Sequence, residues 1–355
     1  MDFALNELQL ELRELAASVL RDACTAPRLA ALEAGEQRLD RDLWAQLRES
    51  GLVAVSLPEA AGGAGLGFLE ACLVFEQVGA TTAPVPLPGH TLAAMVIAHA
   101  LGEEVLAPML AAEGWLACSS RRQGNTLCWT TGQLNGVLSG IPHGEGCQHA
   151  VVPAFDGEAW VLCLLEGDAS GLHWERQTST GFEPQARLTA TAAPARLLPG
   201  AELPAWLEQR MIVAVSMAQC GVVEAAVDLA RQHVCEREQF GVKIGSFQSV
   251  AHRLADCWID AMNLRAAALA AAAALDARPL APLDVYTAQV WAADAGHRVL
   301  ASAQHVHGGL GHDRDYPLWR YAVWARQYEM ALGGAGDGLE KLGAAIAAQP
   351  QAALL

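Results

Sequence analysis

Basic residues are scarce in this sequence, and that scarcity limits the ligands that the protein can bind. The 355-residue chain has 23 lysines and arginines against 39 aspartates and glutamates, which gives a formal net charge of -16. Nucleic-acid binding requires a basic face, so we expect no nucleic-acid partner. A phosphorylated small ligand is still compatible with this charge, because a few local arginines are enough to hold one.

Paired cysteine motifs are also missing. The nine cysteines are scattered, odd in number and include no CxxC pair, whereas zinc sites and disulfide frameworks place cysteines at short, regular spacings. We therefore expect no disulfide framework and no metal site. Unpaired thiols are typical of a reducing compartment, and the expected location is the cytoplasm.

A secretory leader and long apolar runs are absent as well. The first 15 residues carry acids every few positions and have no basic region followed by an apolar one, which does not fit a signal peptide. The apolar stretches are rich in alanine and broken by charges, and none reaches the ~18 clean residues of a membrane-spanning helix. We therefore expect no membrane span, and there is no internal repeat at a fixed period.

What the sequence does contain is helical periodicity at both ends. Hydrophobic residues make up 52% of the chain, enough for a large core. An apolar stripe predicts an opening helix, and Asn6 with Gln9 fits a capping box at its start. A helix holding Leu43, Trp44 and Leu47 should end at Gly51. Further helices are predicted over 68–78 and 90–101, after the flexible glycine-rich segment 58–65.

The middle of the chain differs from its ends. From about residue 115 to 198, short apolar runs alternate with turn residues every ~8–12 positions, which predicts a small antiparallel β domain. Long amphipathic segments then follow at 206–236, 246–275, 283–306, 316–331 and 339–347, and such helices with short connections favour a bundle. The predicted domains are 1–112, helical; 113–203, β; and 204–350, a helical bundle.

Two motifs in the last third are specific. Residues 237–248 read REQFGVKIGSFQ, and residues 304–311 read QHVHGGLG, followed by Tyr316-Pro317. These resemble the RxQFG…IGxFQ and QxxGGxG elements of the acyl-CoA dehydrogenase family. Residues 58–65 and 75–79 match weaker N-terminal elements. The resemblance implies the family fold, which is mainly α: an N-terminal helical domain, a middle β-barrel or sandwich and a C-terminal four-helix bundle.

The resemblance implies FAD as the cofactor and assigns residues to its ADP half. In the family these elements grip FAD bound mainly by a neighbouring subunit, so the site forms only in an oligomer. Arginine offers a planar donor fork for a pyrophosphate, glycine permits close backbone approach, and amides suit an adenine or ribose edge. The predicted FAD-binding residues are Arg237, Phe240, Gln248, Gln304, His307, Gly308 and Gly309.

The family's catalytic base is missing. Family members remove the α-proton of an acyl-CoA with a glutamate whose pKa is lifted toward working pH, while the flavin accepts the β-hydrogen as hydride. The glutamate occupies one of two positions, and here these hold Leu332 and Met211. The flavin-contacting parts of the β domain differ too, at residues 118–122 (CSSRR) and 140–142 (GIP).

This asymmetry predicts a subunit that lends FAD contacts to a partner. We expect a hetero-oligomer, α2β2, with a related acyl-CoA dehydrogenase chain that carries the base, as in bacterial enzymes acting on steroid thioesters. The substrate is then an acyl-CoA, and the electron acceptor an electron-transfer flavoprotein or a similar carrier. The alternatives are a self-sufficient homo-oligomer with a displaced base and a helical scaffold without catalysis. Two candidates for a displaced base are Glu208, three residues before Met211, and Glu329, three residues before Leu332. Glu224 is a third.

Overall fold

The computed structural model describes residues 4–36, 38–120 and 126–349, and their contacts divide the chain into two compact units. One unit is formed by the described residues of 1–29, 72–83 and 212–355, and the other by those of 30–71 and 84–211. Both units draw on the N-terminal helical region. The predicted boundaries at 112 and 203 stay a prediction.

Six α-helices precede the sheet: α1 (Glu7–Ala23), α2 (Ala26–Ala34), α3 (Arg41–Glu49), α4 (Phe68–Thr81), α5 (Leu87–Leu101) and α6 (Glu103–Ala111). Asn6 and Gln9 form the predicted capping box at the start of α1, with reciprocal hydrogen bonds of 2.9 and 3.0 Å. The apolar face of α3 is buried as expected, and Gly51 follows it with a φ of 75°. Helices α2 and α6 were not predicted, and each has a single fully buried residue.

The middle of the chain forms one mixed sheet. Its strands are β1 (Leu116–Cys118), β2 (Leu127–Thr130), β3 (Gln133–Pro142), β4 (His149–Phe155), β5 (Trp160–Glu166), β6 (Leu172–Gln177), β7 (Gln185–Pro194) and β8 (Arg196–Leu197). The strand order is β6-β7-β3-β2-β4-β5-β8, and β1 pairs with β4. The predicted antiparallel pairing holds for five strand pairs, but β1 and β2 both run parallel to β4, so the sheet is mixed.

The C-terminal helices are α7 (Leu203–Glu236), α8 (Gln248–Ala277), α9 (Pro282–His307), α10 (Leu318–Ala331) and α11 (Gly334–Ala348). A hairpin of two short strands, β9 (Glu238–Gln239) and β10 (Val242–Lys243), connects α7 to α8. The predicted fold class, mainly α with a small β domain between helical regions, is confirmed. Four of the five predicted starts lie within three residues of the observed ones, whereas α11 begins five residues earlier than predicted.

Glycine sets the closest helix contact of the first unit, where α4 crosses α7. A Cβ on Gly221 would lie 3.0 Å from the Glu76 carbonyl carbon, and a Cβ on Gly79 would lie 3.0 Å from the Ala218 Cα. Real side chains do not tolerate such contacts, so the two helices approach at their backbones because both positions are glycine.

A cluster of four charged side chains lies in the same unit; we call it the ion cluster. Arg13 Nε lies 2.7 Å from Glu76, and Arg265 pairs both with Glu76 and, at 3.0 Å, with Glu224. The Glu76 side chain is fully buried and that of Arg265 is 17% exposed. Because buried charges need partners, the cluster ties α1, α4, α7 and α8 together.

Two of the described helices, α7 and α8, have the length and composition of a membrane span. The apolar window of α7 is 72% buried and that of α8 44% buried inside the protein. Buried apolar faces of this kind are typical of core helices, and one or two such helices are weak support for a membrane protein.

Candidate flavin-binding surface

The hairpin after α7 presents the first group of predicted FAD-binding residues. Its register pairs Val242 with Gln239 and Lys243 with Glu238. The two turn residues, Phe240 and Gly241, have φ values of 55° and 80°, the left-handed pair that a tight two-residue hairpin requires. Phe240 is 91% exposed at the tip, so its ring is a free apolar platform.

The glycine turn after α9 presents the second group. Gly308 has φ 60° and ψ -136°, and its N–H donates to the carbonyl of His305. A Cβ on Gly308 or Gly309 would meet nothing within 4 Å, so the space beside both glycines is open. The Gln304 amide nitrogen lies 3.4 Å from the Gly311 carbonyl, which folds the turn back onto the end of α9.

His307 lies beneath this turn rather than on its surface. Its Nδ1 lies 2.7 Å from the carbonyl oxygen of Ala303, and its Nε2 lies 3.0 Å from the hydroxyl of Tyr316. Burial lowers the pKa of His307, so the neutral ring donates from Nδ1 to the carbonyl and accepts the Tyr316 hydroxyl proton at Nε2. With both nitrogens used, the ring supports the turn and leaves ligand contact to the glycine backbone.

A stack of two histidine rings brings the two groups together. His233, near the end of α7, stacks on His307 with ring centroids 4.2 Å apart. One helical turn later, the N–H of Arg237 donates to the His233 carbonyl at 2.8 Å. Arg237 is exposed, and its side chain makes no ion pair within the described ranges. The guanidinium and the Gly308 turn therefore lie on the same end of the bundle.

Phe247 extends this surface toward α8. The Phe240 ring meets the Phe247 ring edge-on at 6.2 Å, and Gln248 follows as the first residue of α8, with an exposed side chain. We call the set Arg237, Phe240, Gln248, Gln304, Gly308 and Gly309 the nucleotide surface. It combines a cation, an aromatic face, two amides and open backbone, which is the donor set that an ADP group needs.

The two positions of the missing base lie in different units. Leu332 is 4% exposed at the end of α10, and its carbonyl accepts a 2.6 Å hydrogen bond from Gln289 Nε2. Met211 is half-buried on α7 in the unit of the sheet. Neither side chain can take up a proton, and the apolar Leu332 fills its own position.

The candidates for a displaced base already have charged partners or remain half-exposed. Both carboxylate oxygens of Glu329 accept from Arg326 at 2.7 Å, and His297 lies 3.5 Å away. Glu224 belongs to the ion cluster, and Glu208 is half-buried on α7. Burial raises the pKa of Glu224 and Arg13 opposes that rise, but both carboxylate oxygens of Glu224 are occupied by Arg13 and Arg265.

One of the two β domain segments that differ from the family, residues 140–142, has no side-chain donor. The N–H of Gly140 donates to Gln177 Oε1 at 2.7 Å, and Ile141 is buried. Pro142 has neither an N–H nor a hydroxyl to offer a flavin. Of the other segment, Cys118 and Ser119 are buried, while residues 121 and 122 lie outside the described residues.

Sequence reasoning missed the ion cluster and the buried glutamines that hold the bundle. Gln219 Nε2 lies 3.3 Å from the carbonyl oxygens of Ala292 and Ala325, which links three helices. A usable signal existed for the cluster. Glu76 stands in the apolar run ACLVFEQV and Arg265 precedes an alanine run, and a lone charge on an apolar face requires a partner. Within the described ranges, no group of three or more metal-ligating side chains occurs.

The chain belongs to the acyl-CoA dehydrogenase family. Residues 6–112 match the family's N-terminal domain and residues 208–339 its C-terminal domain. The acyl-CoA dehydrogenase FadE27 of Mycobacterium tuberculosis (strain ATCC 25618 / H37Rv) is 34% identical over 379 residues, which cover 99% of this chain and all of FadE27.

Solved structures agree with this assignment. The ChsE4-ChsE5 complex from Mycobacterium tuberculosis contains a chain that is 32% identical, with a TM-score of 0.92 over 98% of this chain and 99% of that one. A variant of the Tcur3481-Tcur3483 steroid ACAD contains one that is 35% identical, with a TM-score of 0.91 over 96% and 98%. Both of these relatives are complexes of two named components.

Proposed function

We propose that this chain is the base-lacking subunit of a FAD-dependent acyl-CoA dehydrogenase built from two related chains. The complex dehydrogenates an acyl-CoA thioester between the α and β carbons. The observation that carries the proposal is the asymmetry of this chain: the motif residues predicted to hold the ADP half are all present, while leucine and methionine replace the base. The two-component relatives support a hetero-oligomer and, because one of them is a steroid ACAD, a steroid thioester as the substrate class. We propose an α2β2 stoichiometry and, from the unpaired thiols, a cytoplasmic location.

Bound FAD supplies the acceptor for the β-hydrogen, and the residues of this chain contribute binding and orientation. Arg237 would donate its fork of N–H groups to the pyrophosphate, and the open space beside Gly308 and Gly309 would let the same anion approach the backbone. Phe240 covers an apolar face of the nucleotide. His307 holds the turn in place through its stack on His233. The α-proton goes to a carboxylate of the partner chain, and the electrons pass to an electron-transfer flavoprotein.

Co-expression tests the assembly. Expressed alone, this chain should be colourless or insoluble, and with its partner it should give a yellow complex with a flavin absorbance band. A yellow and active homo-oligomer of this chain alone would contradict the proposal. A colourless complex without flavin would leave only the alternative of a helical scaffold without catalysis.

A pair of variants on α7 and its end tests the nucleotide surface within the complex. Arg237→Gln should lower the FAD content by about tenfold or more, because charge-assisted hydrogen bonds to phosphate contribute about 1.5–3 kcal/mol each. Arg231→Gln is the matched control, since Arg231 is exposed and pairs only with Asp228 one turn earlier. Equal FAD content in both variants would place the cofactor elsewhere.

The displaced-base alternative has its own test. Glu208→Gln or Glu329→Gln should lower turnover by about 100-fold if that residue is the base. We expect turnover to be retained in both, since the proposal places the base on the partner chain.

A further inference from the structure

A cavity of about 290 Å³ lies within the unit that contains the sheet. It is lined by the turn after β3 (143–146), by residues 176–178 and 183–185 around the connection from β6 to β7, and near the start of α3 by Gly35, Glu36, Arg38, Leu39 and Arg41. Its size approaches that of pockets for small organic ligands. None of its residues belongs to the nucleotide surface or to the two base positions.

His143 is one of the residues that line this cavity, and its ring is unsatisfied. The residue is 5% exposed, and neither ring nitrogen has a hydrogen-bond partner within the described ranges. Burial lowers the pKa of His143 to about 3, so the ring is neutral, with one nitrogen that donates and one that accepts. Both ring nitrogens are enclosed by protein atoms, so they cost free energy and make no contact with a ligand in the cavity.

Two arginines of the same wall are held by aromatic rings instead of acids. The guanidinium carbon of Arg38 lies 4.7 Å from the centre of the Phe182 ring, and that of Arg41 lies 5.2 Å from the Trp115 ring. Neither arginine makes an ion pair in the described part of the chain. Ring faces orient a guanidinium and leave its N–H edges free for an acceptor.

Hydrogen bonds fix these arginine–ring pairs around His143. The indole nitrogen of Trp115 donates to the His143 carbonyl at 2.7 Å, and the His143 N–H donates to the carbonyl of Pro184 at 2.9 Å. Pro184 lies two residues after Phe182. The ring contacts of both arginines are therefore anchored to the backbone of the unsatisfied histidine.

Three acids and three arginines line the cavity. Glu145 accepts from Arg176 Nε at 3.0 Å, and Glu183 accepts from Gln185 Nε2 at 2.8 Å. Glu36 is exposed, so water and salt screen its charge. Arg38 and Arg41 keep N–H edges free for an acceptor with negative charge.

We propose that this cavity binds a small organic anion, a carboxylate or a phosphate monoester, between Arg38 and Arg41. The ligand class is set by the donors, and the site is separate from the FAD contacts of the C-terminal helices. Binding in this cavity therefore does not depend on the proposed role of this chain as the base-lacking subunit.

Calorimetric titration of the protein, with its partner chain where one co-purifies, tests the site. The probes are acetate, inorganic phosphate and phenyl phosphate at low ionic strength, because screening weakens exposed charge pairs. At least one probe should saturate with a dissociation constant of about 1 mM or below. Preference for acetate would identify a carboxylate ligand, and preference for phenyl phosphate a monoester. No saturation by any probe would overturn the proposal.

Variants locate the binding. The double change Arg38→Gln with Arg41→Gln should weaken binding about tenfold or more, because it removes both guanidinium groups of the site. Arg187→Gln is the matched control, because Arg187 is exposed on β7, pairs with Glu175 and does not line the cavity. Binding that survives the double change but is lost in Arg237→Gln would belong to the nucleotide surface and would refute the site. Circular dichroism of each variant checks the fold.

Discussion

Removing the charge of Glu76 tests how much the ion cluster stabilises the unit that contains the C-terminal helices. Glu76 is fully buried, lies 2.7 Å from Arg13 and pairs with Arg265. Burial, followed by the neighbouring Arg13, lowers the pKa of Arg265 to about 10, so Arg265 still carries its charge at pH 7. In Glu76→Gln this buried cation keeps only Glu224 as its acidic partner.

The magnitude follows from the burial of the pair. Breaking a buried ion pair from one side costs about 3–5 kcal/mol. The remaining contact with Glu224, at 3.0 Å and 26% exposed, places the expected loss at the lower end. At roughly 2–4 °C per kcal/mol for units of this size, Glu76→Gln should lower the melting temperature by about 6–12 °C.

Differential scanning calorimetry of the purified protein measures this loss, with Glu175→Gln as the control. Glu175 pairs with Arg187 on the exposed face of the sheet, with side chains 48% and 45% exposed, and such pairs contribute about 0–1 kcal/mol. A second variant, Glu76→Leu with Arg265→Met, should recover part of the loss because no unpaired charge remains. Equal melting temperatures for Glu76→Gln and the Glu175→Gln control would refute this reasoning.

Three further predictions follow from the packing. Burial lowers the pKa of His90 and of His143 to about 3. Their contribution to stability is therefore present above pH 6.5 and lost as the pH falls toward 3, by about 2 kcal/mol each at pH 5. A wild-type melting temperature that stays constant from pH 7 to 5 would contradict this, and the melting temperature of His143→Asn should depend less on pH. Gly221→Ala should cost about 1–3 kcal/mol by forcing α4 from α7, whereas Gly343→Ala, with open space around its Cβ, should melt like wild type. Tyr316→Phe leaves His307 Nε2 without its donor and should cost about 1–3 kcal/mol; an unchanged melting temperature would show that the hydroxyl does not support the turn.

Local signals predicted the parts of the fold that local physics controls. Residues Asn6 and Gln9 define a helix start within four positions, and the long helices α7 to α9 repeat their apolar faces over many turns. Helices α2 and α6 bury one side chain each, so their sequences carry almost no periodic pattern. The parallel pairing of β1 with β4 joins residues 116–118 to 149–151, a non-local choice that alternation of side chains cannot show.

The candidate site divides in the same way. Contiguous motifs predicted the nucleotide surface, because Arg237 and Phe240 share one hairpin and Gly308 and Gly309 one turn. The sequence did not indicate that His307 would be enclosed, since its partner His233 lies 74 positions away and its acceptance from Tyr316 requires the fold. The cavity around His143 draws on three distant segments, and no single motif marks it.

The hairpin tip has a consequence for how cells must make this protein. Phe240 is 91% exposed, and Val242, Trp258 and Ile259 are 44%, 57% and 55% exposed in the same unit. Uncovered apolar side chains of this extent promote aggregation and attract chaperones and proteases. If the proposed partner chain covers these side chains, copies made in excess of it would be degraded or precipitate, so the cell would have to produce the two polypeptides in matched amounts.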